Sequence, residues 1–488
     1  VREIAACDLS TDTRQTGFFE SSDPRLNKLC DIIERAYRSN TPSTTIDVAG
    51  RDERQSWMGD CFTDEVQSLA YMFGSVGLIA NTVRGVFDGM NVHDLPGDHS
   101  SQGREGRVWA DAGWADAGIA GAWGAWVNYG DRRTLESGYA ASARFMDAVA
   151  AKMKNGLPGD NYKSQFGDWL SDRQTIKPGA TGWNQFGGIG APSDIFAAAF
   201  LAGSLDWTGR MAEALGKKED ARRYAELRTS LQEAILRKFV RPDGTIEGGS
   251  PQEYAAFVPA RPQPAGGDEQ SPYALLMGHL PDDLRTLSRK QLRAAIDKQE
   301  GHFGTGSFTT IYLLRTLADN GLQDPAYQMV MNPTCPSYGF MVDQGAVAMW
   351  ERWDSYHPQL GFNPDQMNGL NHLGMNSVYE WIFATLAGIR PDPEQPGYKH
   401  FFIAPQPPQG LDWVKARYDS VRGPISVEWK KEKGGLNLKA SVPPNTTATV
   451  KLPGSTKITV NGKPQEKSQF DLPAGKWEII AKQNKETK

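Results

Sequence analysis

From about residue 25 the apolar residues fall at helical spacing, and they do so for roughly 350 residues. Near residue 396 the texture switches to short alternating segments broken by turn signals. Few folds satisfy both halves. The first demands a large all-helical body, and the second a small all-β unit attached to its end.

Within the helical part, Leu26, Leu29, Ile32, Ile33 and Tyr37 share one face of a helix expected over 25–38. Further helices are expected near 59–73, 75–90, 114–129, 132–154, 194–215, 218–238, 271–279, 285–298, 308–320, 323–331 and 374–388. Ser193-Asp194 and Asp324-Pro325 read as starts, and Gly130, Gly156, Gly216 and Gly321 as stops. Twelve helices in one body point to six hairpins closed into an (α/α)6 barrel. An open helical solenoid is the competitor, and the lack of a fixed sequence period speaks against simple repeats. After residue 396, strands are expected at 414–418, 425–429, 436–442, 446–452, 457–460 and 477–481, with a hairpin turn at Asn461-Gly462. This is the pattern of a β-sandwich. The expected division is an extended segment over 1–22, the barrel over 23–396 and the sandwich over 397–488.

Apolar residues make up 39% of the 488 and charged residues 23%, so the chain is globular. Its net charge is −5, with no basic patch to track phosphates, which excludes nucleic acid as a partner. No run of eighteen apolar residues occurs, so no membrane-spanning helix is expected. The cysteines (Cys7, Cys30, Cys61 and Cys335) are scattered, with neither metal spacing nor a disulfide framework. The first residues carry no charged-then-apolar leader. Secreted, periplasmic and cytoplasmic locations all fit, and the oligomeric state leaves no signature. No nucleophile elbow, phosphate loop or dinucleotide fingerprint is present. His357 and His372 lack a metal-ligand pattern, so no metal is expected.

The densest chemistry lies between Asp47 and Asp60. Asp47, Asp52, Glu53 and Asp60 supply carboxylates, Arg51 and Arg54 guanidiniums, and Trp57 a broad aromatic face. Glycoside hydrolysis uses these groups: an acid to protonate the leaving oxygen, partners for hydroxyls, a ring to stack on the sugar. A charged helix start with solvated ion pairs would look the same. Glu53 is the candidate acid. It must hold a proton at working pH, so neighbouring negative charge and burial should raise its pKa, while Arg51 and Arg54 pull the other way unless they pair with the aspartates.

A second cluster, Trp350-Glu351-Arg352-Trp353-Asp354, lies far along the chain. Barrel mouths gather distant loops, so Glu351 can serve as the base that activates water about 6.5–9.5 Å from the acid. An ion-paired glutamate in an aromatic-rich helix is the plainer alternative. Tryptophan–acid pairs recur at Trp114-Ala115-Asp116 and at Asp168-Trp169, and Asn371-His372 precedes the last helix.

These stretches, Arg51-Asp52-Glu53-Arg54 followed by Trp57-Met58-Gly59-Asp60, then Trp114 to Ala117, Gly167 to Trp169, Trp350 to Trp353 and Asn371-His372, resemble the motifs of family 78 α-L-rhamnosidases in order and spacing. The resemblance spans the helical and terminal β regions. It implies an (α/α)6 barrel with a C-terminal β-sandwich, and cofactor-free hydrolysis of terminal α-L-rhamnosyl bonds with inversion. It places the general acid at Glu53 and the general base at Glu351. It places contacts to a rhamnose-containing carbohydrate at Asp47, Arg51, Trp57, Asp60, Trp114, Asp116, Trp169 and His372. Many members have Cys-Pro where Val48-Ala49 stands here. Members also usually carry upstream β-sandwich domains, which would make residues 1–22 the remnant of one, or this chain a compact variant. Other (α/α)6 enzymes (a glucuronyl hydrolase, a phosphorylase, a lyase) and a non-catalytic carbohydrate-binding protein are the competing readings.

Overall fold

The computed structural model describes residues 10–51, 53–100, 107–171, 193–243 and 282–483, apart from a few side chains, that of Asp60 among them. The helix expected near 271–279 and the carboxylate of Asp52 lie outside the described residues.

The first helix, Pro24–Ser39, shows how sequence sets the local structure. The Asp23 carboxylate accepts from the Arg25 amide at 2.8 Å, and Pro24 occupies the first turn, where its missing N–H costs nothing. Leu26, Leu29, Ile32, Ile33, Ala36 and Tyr37 are then buried along one stripe. Later helices pack against their neighbours in the chain, several of them across short turns. Val76–Asp88 lies against Ala117–Tyr129, which lies against Arg132–Ala150, while Asp194–Ala214 pairs with Lys218–Phe239 and Thr309–Asp319 with Gln323–Val330. Gly130 ends one such helix in the left-handed region (φ 66°), where it costs no side-chain clash. Together the helices form an (α/α)6 barrel, followed by the C-terminal sheet.

The helix expected over 374–388 starts only at Val378 and continues as a π-helix over Ile382–Ala387, and two further features differ from expectation. The helix expected from residue 59 begins as a π-turn, Gly59–Thr63, and becomes α-helical only at Val66–Met72. A short helix, Tyr338–Asp343, was not foreseen.

The sheet is continuous and nine-stranded. Its long strand Gly435–Lys451 absorbs two of the expected strands. A register shift between Val442 and Thr447 bends it. Its first half pairs with Gly423–Glu432, and its second runs parallel to His400–Ile403. Asn461-Gly462 makes the expected hairpin turn, with both residues at positive φ. The strand Gly17–Ser21 pairs antiparallel with Trp413–Ser420, so part of the N-terminal extended segment completes one edge of this sheet. Trp429 donates to the Leu386 carbonyl at 2.7 Å and ties the sheet to the last barrel helix. Among the described residues no helix is long and apolar enough to cross a membrane.

Candidate active site

A cavity of about 200 Å³ is lined by Asp47, Arg51, Glu53, Trp57, Trp114, Phe166, Trp169, Glu351, Met367 and His372. One wall is ionic and the other aromatic. Eight of the ten candidate catalytic and substrate-binding residues, all but Asp60 and Asp116, therefore meet at one place.

The ionic wall is built by two loops laced together. In the first, Asp47 and Gln55 pair: the Asp47 amide donates to the Gln55 carbonyl at 2.9 Å, and the Gln55 amide to the Asp47 carboxylate at 3.1 Å. The excursion between them carries Arg51 and Glu53. In the second loop, the Glu351 amide donates to the Gly369 carbonyl, and the Gly369 amide donates back to the Glu351 carboxylate at 2.7 Å. Gly369 is needed there, because a Cβ would stand 2.8 Å from Val48 and 3.0 Å from the Glu351 carboxylate. The Leu373 amide donates to the Asp47 carbonyl at 3.2 Å and joins the two loops.

Arg51 bridges the two candidate catalytic acids. Its Nε and Nη2 donate to Glu53 Oε2 at 2.7 and 2.6 Å, and its Nη1 donates to Glu351 Oε2 at 2.5 Å. Asp47 stands 3.8 Å from the same guanidinium. Trp57 Nε1 donates to Glu53 Oε1 at 2.9 Å. Partial burial works to raise the Glu53 carboxyl, but the bonds from Trp57 and Arg51 outweigh it and hold it below the ordinary glutamate range. This reverses the expected direction, because Arg51 pairs with the glutamates more closely than with Asp47. His372 accepts the Gly374 amide at Nδ1 (2.8 Å), so Nε2 carries the ring proton and faces Glu351 at 3.9 Å.

The aromatic wall centres on Phe166, which meets Trp57, Trp114 and Trp169 at ring distances of 5.6, 4.8 and 5.9 Å. Phe166 and Met367 carry no pattern that marks them in the sequence. Trp57 also leans on His99, with ring centres 3.9 Å apart. Asp168, beside Trp169, faces the protein interior. It accepts from the amides of Gly306 (2.6 Å), Phe308 (3.1 Å) and Thr309 (3.0 Å) and from the Thr309 hydroxyl. Burial pushes this carboxyl up while the four donors pull it down.

Asp116 is not brought to the cavity. It is fully buried, and its oxygens accept from the Gly113 amide (2.7 Å), Tyr162 (2.7 Å) and Ser204 (2.5 Å), which makes it a clasp between helices. Asp60 sits in the π-turn Gly59–Thr63, and its side chain lies outside the described residues. Of the second cluster only Glu351 faces the cavity. Arg352 is buried against Asp354 and Asp365, and Trp353 stacks on Phe303. Among the described residues no group of three or more His, Cys, Asp or Glu could hold a metal ion.

A helical barrel whose mouth sets two glutamates against an aromatic wall defines a six-hairpin glycosidase-type scaffold. The chain belongs to the bacterial α-L-rhamnosidase family: the model for the bacterial alpha-L-rhamnosidase 6 hairpin glycosidase domain matches residues 14–386, and that for the family's C-terminal domain matches 388–467. An α-L-rhamnosidase of Streptomyces avermitilis is 34% identical over 440 residues, covering 89% of this chain and 38% of the relative. One from Alteromonas sp. (strain LOR) is 27% identical, covering 94% of this chain and 48% of its own length. The crystal structure of the S. avermitilis enzyme complexed with L-rhamnose superimposes with a TM-score of 0.82 at 30% identity, over 97% of this chain and 43% of that one. The native enzyme of Aspergillus terreus gives 0.82 at 25% identity, over 96% and 50%. The chain thus spans less than half the length of the curated relatives it matches.

Proposed function

We propose that this chain hydrolyses terminal α-L-rhamnosyl bonds with inversion, Glu53 acting as general acid and Glu351 as general base. The observation that carries the reading is that both carboxylates border one small cavity and share one guanidinium. A sugar seated against the wall of Trp57, Trp114, Phe166 and Trp169 would present its apolar face to the rings and its hydroxyls to Asp47, Arg51 and His372. Glu53 would protonate the departing glycosidic oxygen. Glu351, fixed by the Gly369 amide, would take a proton from water attacking the opposite face of the sugar. In this reading the barrel over 23–396 carries catalysis. The small volume of the cavity favours removal of one terminal residue at a time.

The names of the relatives support the substrate class. The test is turnover of aryl α-L-rhamnoside by the wild type, Glu53→Gln and Glu351→Gln. Each substitution should lower kcat by about 10²–10⁴-fold, the usual worth of a positioned acid or base, while the protein stays folded. NMR should show β-L-rhamnose as the first product. Wild-type rates in either variant, or α-rhamnose first, would remove the assigned roles. Faster turnover of an aryl glucuronide or glucoside would remove the substrate class.

A further inference from the structure

The bonds around Glu53 conflict with the task given to it. One oxygen accepts two N–H groups of Arg51 and the other accepts the Trp57 indole. Both lone pairs of Oε2 are taken, and a proton on the remaining lone pair of Oε1 would cancel the charge that holds the guanidinium, so the free site favours the carboxylate. Among the described residues, charged groups near it include Glu351, which is bound to the same guanidinium, and His372, which adds a weaker pull toward the ionised form. Asp47 is 3.8 Å from Arg51. The arrangement therefore favours the ionised form of Glu53 over the protonated form an acid needs.

We propose that Arg51 holds Glu53 as a carboxylate until a sugar enters, and that sugar binding draws Arg51 away and brings one proton from solvent onto Glu53. This rests on the acid role assigned above. Arg51 acts here as a positioning residue. Its charge need not be abandoned, because Glu351 and Asp47 remain beside it. The protons balance over a cycle. Glu53 gains one from solvent and passes it to the glycosidic oxygen as the C–O bond breaks. The attacking water gives one to Glu351, which returns it to solvent when the products leave. The consequence is that an acid too strong to be protonated near neutral pH becomes one only when there is a bond to cleave.

Calorimetric titration with L-rhamnose between about pH 4 and 7, repeated in buffers of different ionisation enthalpy, reads the proton directly. The wild type should take up protons on binding, a small fraction at about pH 7 and more toward the acid end, and Glu53→Gln almost none at any pH. In kinetics, the alkaline limb of kcat should lie about one pH unit or more above that of kcat/KM, since removing a neighbouring cation shifts a carboxyl by that much. Arg51→Gln should narrow this gap from the free-enzyme side. Rhamnose binding without proton uptake, or uptake unchanged in Glu53→Gln, overturns the proposal while leaving the glycosidase reading intact. A Glu53→Gln enzyme that still turns over at the wild-type rate sinks the acid role itself.

Discussion

Replacing Asp168 with alanine should loosen the barrel and the cavity together. Its carboxylate is the only cap in view for the start of Thr309–Asp319 among the described residues, since the residue before that helix is Phe308, which has no capping group. Removing it strands the amides of Gly306, Phe308 and Thr309, all buried. Each stranded donor costs about 1–3 kcal/mol, so the three together cost about 3–9 kcal/mol. Water entering the space offsets part of this, so about 4 kcal/mol is expected. An unfolding entropy of roughly 2.1 cal/mol/K per residue over 488 residues is about 1 kcal/mol/K, which converts the loss to about 4 °C in Tm if the chain melts as one unit. Asp168→Asn keeps an acceptor for the Phe308 and Thr309 amides but not for Gly306, so it should fall about halfway. Because the Ser307 amide donates to the Trp169 carbonyl at 2.9 Å, KM for aryl rhamnoside should rise in the same order. Calorimetry and steady-state kinetics on the three proteins check this. Asp168→Ala melting within about 1 °C of the wild type would refute the capping argument.

Two further outcomes follow from packing and charge. Gly59→Ala would set a Cβ 2.4 Å from the Trp114 ring and 2.6 Å from Phe308, and neither ring can swing freely, so a loss of about 1–3 kcal/mol and weaker substrate binding are expected in melts and Michaelis plots. Unchanged values in both would mean that the rings yield. Burial pushes the Asp111 carboxyl up to about 8, so the folded chain keeps a proton that the unfolded chain loses near pH 4. The stability this group contributes is full below that lower value and drains away as pH rises to about 8. Asp111→Asn has no such proton to lose, and its Tm should gain on the wild type between pH 5 and 8. A difference that stays constant with pH would count against the shift.

The helical body was legible because its signals are local. Asp23, Pro24 and the spacing from Leu26 to Tyr37 lie within one short stretch. The late start of the helix after Gly59 was not legible, because Asp64 and Glu65 are buried by partners far away, Tyr312 and Tyr37. Asp116 shows the same limit at the site. Beside Trp114 it reads as a sugar ligand, but Tyr162 and Ser204 claim its oxygens, and neither is near it in sequence. Phe166 and Met367 sit in loops with no periodicity to expose them. The pull of Arg51 on Glu53 was visible as a possibility. Its partner choice, Glu351 rather than an aspartate, depended on a loop three hundred residues away.

The pairing of Gly17–Ser21 with Trp413–Ser420 sets the timetable of folding. During synthesis the early strand leaves the ribosome long before its mate exists, and its hydrogen-bonding groups must wait through the making of the whole barrel. A cut between barrel and sheet near residue 388 would thus yield neither half intact. One piece would keep an orphaned strand, and the other would expose a raw edge open to pairing with strangers.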